Sequence, residues 1–353
     1  MIAAAALATA LGGTARPQQY AIVSRIAVPD ARWDYAAVDP GARRLYLGRF
    51  GGVLALDLES GRVVPVLVPS ALVHGVLPLG DGLAMSTNGE ANSVDVFEGA
   101  SGHILARIAT GRDPDAITVE PLTGLVVTTD QRSRDLTLID PVARRRVGRI
   151  ALPGVPEFAA AGQGGILFDN ITDRNAVAVI DLRSRRVVAT YPLAGCSEPT
   201  GLAYDAAEDL ILSVCRNGIA KFLSGRDGTE RATIDVGPGP DAAFFDERRH
   251  LAFVPSGGSG TLTVIGVEGG AIEKRQSLAT QKGSRTAALD PVTGQIYIPA
   301  AKFAPPAKLG DHPAPISGTF EILVIANTGG SGIADREDST SGETHDKRQD
   351  SID

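Results

Sequence analysis

Seven residues that occupy one position of a repeated pattern could bind a ligand or take part in acid–base chemistry. In chain order, this inner set is Asp34, His74, Asp115, Glu157, Thr200, Asp241 and Arg285. Six of them are ionisable, whereas the residue after each is small or apolar. Carboxylates beside a histidine and an arginine favour either a hard cation such as Ca²⁺ or a polar small molecule held by His74 and Arg285. The alternative is that the set only caps a channel, bonded to backbone N–H groups and to water.

A second set of polar residues ends the next apolar segment of each repeat. This outer set is Arg49, Asn88, Asp130, Asn170, Arg216 or its neighbour Asn217, Ser256 and Lys302. We expect it on the same face as the inner set but farther from the centre, where it would add three cations. Asn, Asp and Ser also favour tight turns, so ordinary turn chemistry is the alternative interpretation.

Other catalytic signatures are missing from the sequence. It contains no G-x-S-x-G, P-loop, H-E-x-x-H or C-x-x-C motif. Of its 5 histidines, only His74 is positioned for acid–base chemistry, and Asp34 of the preceding repeat could orient it. Covalent haem is not indicated, because C-x-x-C-H is also missing.

The repeat that positions both sets is clearest in residues 111–150. This segment holds four short apolar or alternating runs, separated by Gly, Pro, Asp and Arg, which predict four strands and no helix. An acidic residue closes the first run and recurs at regular spacing. Glu120 and Asp205 are 85 residues apart, and Asp205 and Asp246 are 41 apart. A period of this length is typical of a propeller or a solenoid.

Seven copies of the repeat fill the chain from residue 34 to residue 327. The last copy has three predicted strands, and a lone strand-like run at 20–28 precedes the first copy. We expect this N-terminal strand to complete the last copy and close the ring, which would remove free sheet edges. An open solenoid would leave it unused. The sequence therefore predicts one all-β domain over 20–327, a seven-bladed β-propeller with four-stranded blades.

The segments outside this domain carry signals of export. Residues 1–15 resemble the later part of a signal peptide without its charged start, and they are too short to span a bilayer, so we predict cleavage near Ala15 and no membrane span. Residues 328–353 are polar and predicted to be disordered, and the proline-rich 299–318 segment is predicted to be a long loop over one face. Cys196 and Cys215 fall at the same end of one predicted blade. Export would permit a disulfide between them, and two buried thiols are the alternative.

The composition restricts the partners. The net charge of −7 opposes non-specific binding to nucleic acid, although a local basic patch is compatible with it. Arginine clusters such as 144–146 lie in predicted turns, where solvated charge is the simpler interpretation.

Short motifs of similar form recur along the repeats, namely Met85-Ser86-Thr87-Asn88, Val127-Thr128-Thr129-Asp130, Leu138-Ile139-Asp140 and Val179-Ile180-Asp181. They resemble the repeats of the YVTN-repeat β-propeller family, and the late run 318–324 resembles the last blade of its YncE-like subgroup. The resemblance covers 20–327. It implies a propeller that is commonly exported, with activities ranging over scaffolding, surface binding and single-stranded DNA binding, and similar propellers include lactonases.

Three functions follow, in order of preference. The first is an exported, periplasmic or secreted, non-catalytic binding protein whose partner is a protein, a polysaccharide or a small polar ligand at the channel mouth. The second is a lactonase-like hydrolase in which carboxylates of the inner set hold a divalent cation, although Asn ligands occur only in the outer set. The third is single-stranded DNA binding, for which Trp33, Tyr35, Phe50 and Phe158 are candidate stacking residues and the nearby carboxylates are unfavourable.

Overall fold

The computed structural model describes residues 19–305 and 315–329. Within this range the chain forms 26 strands and two short 3₁₀ turns, Thr172–Arg174 and Glu247–Arg249, and all strand pairs are antiparallel. The predicted signal segment 1–15, most of the 328–353 tail and the middle of the 299–318 loop lie outside the described residues.

Five sheets have four strands each. Three of them follow one another along the chain. The first contains β8 (Pro114–Glu120), β9 (Leu125–Asp130), β10 (Asp135–Asp140) and β11 (Arg145–Ala151), and the second contains β12 (Pro156–Ala161), β13 (Ile166–Ile171), β14 (Ala176–Asp181) and β15 (Arg186–Pro192). The third contains β16 (Pro199–Asp205), β17 (Leu210–Cys215), β18 (Ile219–Ser224) and β19 (Glu230–Asp235). A fourth contains β20 (Phe244–Asp246), β21 (Leu251–Ser256), β22 (Thr261–Glu268) and β23 (Ala271–Ala279).

The last sheet joins the two ends of the described chain. It contains β24 (Ala288–Leu289), β25 (Ile296–Ala300), β26 (Glu321–Asn327) and the N-terminal β1 (Tyr20–Ala27). β1 pairs with β26 from Tyr20 opposite Asn327 to Ala27 opposite Glu321. The N-terminal strand therefore supplies the fourth strand that the sequence left missing in the last copy.

The sixth sheet differs from the prediction. It has six strands, β2 (Trp33–Asp39), β3 (Arg44–Asp57), β4 (Val63–Gly80), β5 (Leu83–Asn88), β6 (Ser93–Glu98) and β7 (Ile104–Ala109). The all-β propeller with four-stranded blades is confirmed, but the strands form six sheets where the sequence predicted seven blades. The reason is that β3 and β4 are long and stay paired across the predicted boundary, with Phe50 opposite Leu72.

Burial explains which strands lie inside each sheet. β9 (LVVTTD) and β10 (DLTLID) are buried on both faces, whereas β15 (RVVATYP) alternates between exposed and half-buried residues. Alternation with one solvated face is typical of an outer strand, and continuous burial is typical of a strand packed between neighbouring sheets. The apolar core is thus distributed among the sheets instead of lying at one centre.

Seven apolar clusters of buried side chains make up this core in the described residues. Six of them lie between successive sheets, including one that joins β26 of the last sheet to Leu45 and Leu54 of β3. The seventh lies within the six-stranded sheet, where Tyr46 and Val53 pack against Val73 and Phe97.

The same irregularity recurs at the start of five units. Register shifts fall between Trp33 and Ala36, Val73 and Val76, Pro114 and Ile117, Pro156 and Ala159, and Pro199 and Leu202. Each shift leaves two residues outside the ladder, and the first of the two is a member of the inner set. Bulges of this kind redirect side chains and are frequent beside functional sites.

Candidate functional site

Hydroxyl and amide side chains fasten these bulges to the neighbouring unit. Thr87 Oγ1 accepts from the N–H of Gly75 (2.8 Å) and donates to the carbonyl of Asp115 (2.8 Å). Thr129 Oγ1 likewise donates to the carbonyl of Glu157 (2.7 Å). Polar groups that leave a ladder need replacement partners when they are buried. The backbone of the inner set is therefore held rigidly, and its side chains are free to meet at the centre.

The core of the site is a cluster of Asp34, His74 and Asp115. The Nδ1 atom of His74 lies 2.6 Å from Asp34 Oδ2 and 3.3 Å from Asp115 Oδ1. Its Nε2 atom lies 3.8 Å from Asp113 Oδ1. The backbone of Gly89 runs so close that a Cβ atom there would lie 2.7 Å from Nε2. His74 is therefore enclosed by three carboxylates and cannot turn away easily.

Two further pairs extend the cluster into a continuous network. The amide of Gln131 donates to Asp115 Oδ2 (2.6 Å) and Glu157 Oε2 (2.8 Å). On the other side, Arg285 Nε donates to Asp241 Oδ2 (2.5 Å), and its Nη2 lies 3.9 Å from Asp34 Oδ1. Six members of the inner set thus meet. Sequence analysis missed Gln131, because it follows a second strand and has no counterpart in the other repeats.

Thr200 is the member of the inner set that does not join the network. It is fully buried, and its hydroxyl donates to the carbonyl of Pro240 (2.9 Å) in the next sheet. Its place in the bulge is the predicted one, but its role is to fasten two sheets, as Thr87 and Thr129 do.

The pKa values of four side chains in the network are raised. Burial and the neighbouring carboxylates raise the pKa values of Asp115 and Glu157 well above the usual range. Burial also raises the pKa of Asp241, although Arg285 opposes this effect. Burial lowers the pKa of His74, but Asp34 and the other carboxylates outweigh it, so the net pKa of His74 is raised. A shift in this direction favours the protonated imidazole, which balances carboxylate charge and is a poorer general base.

The network fits a Ca²⁺ ion poorly. Asp34, His74 and Asp115 offer three ligand atoms within 4.8 Å of one another, but Ca²⁺ prefers six to eight oxygen ligands. One of these atoms is a nitrogen that is already hydrogen-bonded to Asp34, and the Arg285 guanidinium lies beside the same carboxylate. The donors instead satisfy one another through side-chain contacts, whereas the capping alternative expected backbone N–H groups and water as their partners.

The outer set does not occupy one structural position. Asn88 and Asp130 lie opposite the residue that precedes the bulge, but in the next two sheets that place is taken by Ile171 and Cys215. The alignment of Asn170 and Arg216 with this position is therefore wrong by one residue, which turns a strand side chain to the opposite face. Lys302 likewise lies beyond the end of β25.

Members of the outer set consequently have different roles. Asn170 donates to the carbonyl of Thr200 (2.7 Å) and fastens two sheets. Asp130 is buried and accepts from two threonines and a backbone N–H, and burial raises its pKa to about 7. Asn88 is buried beside Ser93. The Ser256 hydroxyl donates to the carbonyl of Val236. Arg216 is exposed and pairs with Glu198 (3.3 Å).

A large groove opens beside the network, between the last sheet and the six-stranded sheet. Its volume is about 1070 Å³, and Asp34, His74 and Arg285 of the inner set form part of its wall. Its basic lining residues are Arg32, Arg49, Lys282, Arg285 and Lys302. Among the described lining residues, Asp34 is the only carboxylate. The described wall of the groove is therefore rich in cationic side chains, in a chain whose net charge is −7.

Aromatic side chains form the apolar part of the groove. Trp33 stacks on Phe320 with ring centroids 4.7 Å apart and lies 6.0 Å from Phe303. Phe50 is 46% exposed, and the guanidinium of Arg32 lies 5.5 Å from its ring centroid. Tyr35 and Phe158, also considered as stacking residues, instead pack edge to face (5.2 Å) and do not line the groove.

Cys196 and Cys215 form a disulfide with Cα atoms 5.5 Å apart, which ties the segment before β16 to the end of β17. In residues 19–305 and 315–329, no helix is long and apolar enough to cross a membrane.

Comparison with solved structures identifies the fold. The chain resembles Kuenenia stuttgartiensis hydrazine synthase with a TM-score of 0.66 and 16% identity, covering 77% of this chain and 94% of that chain. It resembles a chain in the crystal structure of the mitotic checkpoint complex with a TM-score of 0.67 and 14% identity, covering 85% and 93%. No family model and no curated protein matches the sequence. Such distant likeness carries no activity with it, and it shows that the chain is a β-propeller.

Proposed function

We propose that this protein is a non-catalytic binding propeller whose ligand occupies the cationic groove at the channel mouth. The observation that carries the proposal is the groove itself, which gathers five basic side chains around about 1070 Å³ of space in an acidic protein. Its volume lies just above the range of about 300–1,000 Å³ that is usual for small-molecule sites. The adjoining network supports the role by holding Asp34, His74 and Arg285 in fixed positions along the wall.

Filling the groove is expected to abolish binding. Ala304 lines the groove and is half-buried, so Ala304→Trp would occupy the space without changing the charge. Ala143→Trp, in an exposed turn, is the matched control. We expect ligand-observed NMR of a diverse fragment collection to give a group of binders common to the wild type and Ala143→Trp, and lost in Ala304→Trp. If every binder of the wild type also binds Ala304→Trp, the groove is not the ligand site.

We further propose that the propeller is a closed ring of seven blades, in which the six-stranded sheet counts as two. The apolar cluster of Tyr46, Val53, Val73 and Phe97 supports this count. The other clusters each lie between two sheets, so a cluster inside the six-stranded sheet indicates that two blades pack against each other there. Contacts between the last and the six-stranded sheet support closure. Thr286 Oγ1 donates to the carbonyl of Asp34 (2.8 Å).

The ion pair of Arg43 with Asp290 tests this closure, because it joins the two sheets (2.8 Å) and Asp290 is fully buried. A double-mutant cycle of Arg43→Met and Asp290→Asn in urea unfolding is expected to give a coupling free energy of about 1 kcal/mol or more. Additive effects of the two substitutions would mean that the first and last sheets do not meet in solution.

We also propose that residues 20–327 form one domain and that the protein is exported to an oxidising compartment with removal of residues 1–15. The disulfide supports it, because structural disulfides persist mainly outside reducing compartments. Membership of the YVTN-repeat family and its YncE-like subgroup remains a proposal that rests on the sequence motifs.

A further inference from the structure

Arg49 is a buried cation with an incomplete set of partners. Its side chain lies in the groove wall and is only 5% exposed. Its Nη1 atom donates to the carbonyl of Pro29 (2.9 Å), and its buried Nε–H has no hydrogen-bond partner in the described chain. No carboxylate of the described residues pairs with it. Burial lowers its pKa, although an arginine remains charged.

A buried guanidinium without a counter-charge is unfavourable, and an anionic ligand would relieve the cost. The other arginines of the site do not share this condition, since Arg285 is already paired with Asp241 and Arg32 is exposed. Arg49 is therefore the group of the groove with most to gain from an anion. Lys282 and Lys302 add charge nearby on the same wall.

The surroundings of Arg49 define the rest of the ligand. Trp33 and Phe303 form an apolar wall, and Phe50 adds an exposed ring. Exposed rings in a groove favour flat or apolar bodies, and arginine forks favour the planar arrangement of carboxylate or phosphate oxygens.

Resting on the proposed binding function, we infer that the ligand is a small organic anion, with a carboxylate or phosphate bound by Arg49 and an aromatic or similarly apolar body packed against Trp33, Phe50 and Phe303. The groove is bounded on both sides by sheets, and its volume of about 1070 Å³ leaves room for such a molecule.

Matched probes separate the two halves of this inference. The probes are 2-naphthoate, 2-naphthyl phosphate, the neutral 2-naphthamide and acetate, each titrated by calorimetry. We expect one of the naphthyl anions to bind at least about tenfold more tightly than 2-naphthamide and than acetate, because charge-assisted hydrogen bonds are strong in a partly dry site. Which of the two anions binds more tightly distinguishes a carboxylate from a phosphate ligand.

Variants then assign the contacts. Arg49→Gln is expected to weaken the binding of the naphthyl anion at least about tenfold and to leave the affinity for 2-naphthamide unchanged. Arg216→Gln is the control, since it removes an exposed arginine that does not line the groove. Arg32→Gln, at an exposed position, gives a second measurement if Arg49→Gln does not fold, and it too should weaken the anion more than the amide.

Three outcomes overturn the inference. The first is that 2-naphthoate, 2-naphthyl phosphate and 2-naphthamide bind with equal affinity and that Ala304→Trp blocks all three. The groove would then be a binding site, but not one that selects anions. The second is unchanged anion affinity in both Arg49→Gln and Arg32→Gln. The third is that oligothymidylates bind far more tightly than the naphthyl anions, with an affinity that rises with their length. The ligand would then be a nucleic-acid strand. Binders unaffected by Ala304→Trp would instead contradict the binding function itself.

Discussion

Replacing Cys196 and Cys215 together by alanine is expected to lower the free energy of unfolding by about 3 kcal/mol. The disulfide closes a loop between residues separated by 19 positions, and a loop of this size restricts the unfolded chain by about that amount. Both cysteines are buried, so serine would add a buried hydroxyl and alanine is the cleaner substitution. Urea unfolding of the wild type and the double variant under oxidising conditions measures the difference.

Reduction supplies the control for this experiment. The wild type in excess dithiothreitol should lose about as much stability as the double alanine variant, while the variant itself should not respond to the reductant. A wild type that is insensitive to reductant, with thiols that react fully with a labelling reagent after unfolding, would show that the cysteines are unpaired in solution. Export would then lose its structural support, because the disulfide is what links the fold to an oxidising compartment.

The sequence predicted the inner set well because one structural feature repeats with it. In five units a bulge stands at the same place, at Asp34, His74, Asp115, Glu157 and Thr200, so counting in phase along the chain placed these residues together. Periodicity could not reveal how they pair. The fastening role of Thr200 depends on its distance from the carbonyl of Pro240, which no spacing in the sequence encodes.

The prediction that the outer set occupies one structural position was wrong for the opposite reason. The second strands end one residue later or earlier in different units, so an alignment by residue type placed Asn170 beside Asn88 although the ladder aligns Ile171. A single residue reverses the direction of a strand side chain. Type matching is therefore misleading at strand ends, where Asn and Asp occur for turn chemistry as well as for function.

The groove could not be predicted from the repeat, because its most informative residues break the period. Arg32 precedes the first unit, and Lys282 lies in the connection that leads into the last one. They meet only because the two ends of the chain share a sheet through β1 and β26. The cationic site thus lies beside the sheet that joins the two ends of the described chain, outside the regular part of the repeat.

Asp169→Asn is expected to stabilise the protein at alkaline pH, by at least about 2 kcal/mol at pH 8 to 9. Asp169 lies on β13 and is fully buried, and its carboxyl oxygens have no well-aligned hydrogen bond in the described chain, although the backbone N–H of Glu157 lies nearby. Burial raises the pKa of Asp169 well above the usual range, which favours the neutral carboxyl in the folded protein. Ser86, Thr128 and Ser213 occupy the same place in other units, which shows that a small neutral side chain fits there.

The sign of the effect follows from the direction of the pKa shift. Because the folded-state pKa is raised, the contribution of Asp169 to stability is fully present below the unfolded pKa and is lost as the pH rises through the folded pKa. Asparagine has no proton to lose, so the variant should keep the stability that the wild type loses, and the two should be nearly equal at pH 4. Urea unfolding between pH 4 and pH 9 measures this widening gap.

The exposed Asp235 provides the matched control, since Asp235→Asn removes the same charge from a solvated position and should change stability by less than about 0.5 kcal/mol at every pH. Buried Asp115, Glu157 and Asp130 also have raised pKa values, so the wild type will lose stability at alkaline pH through several groups at once. The variant isolates one of them. A gap between the wild type and Asp169→Asn that stays constant from pH 4 to pH 9 would mean that Asp169 is ionised in the folded protein, with a partner that its buried position does not reveal.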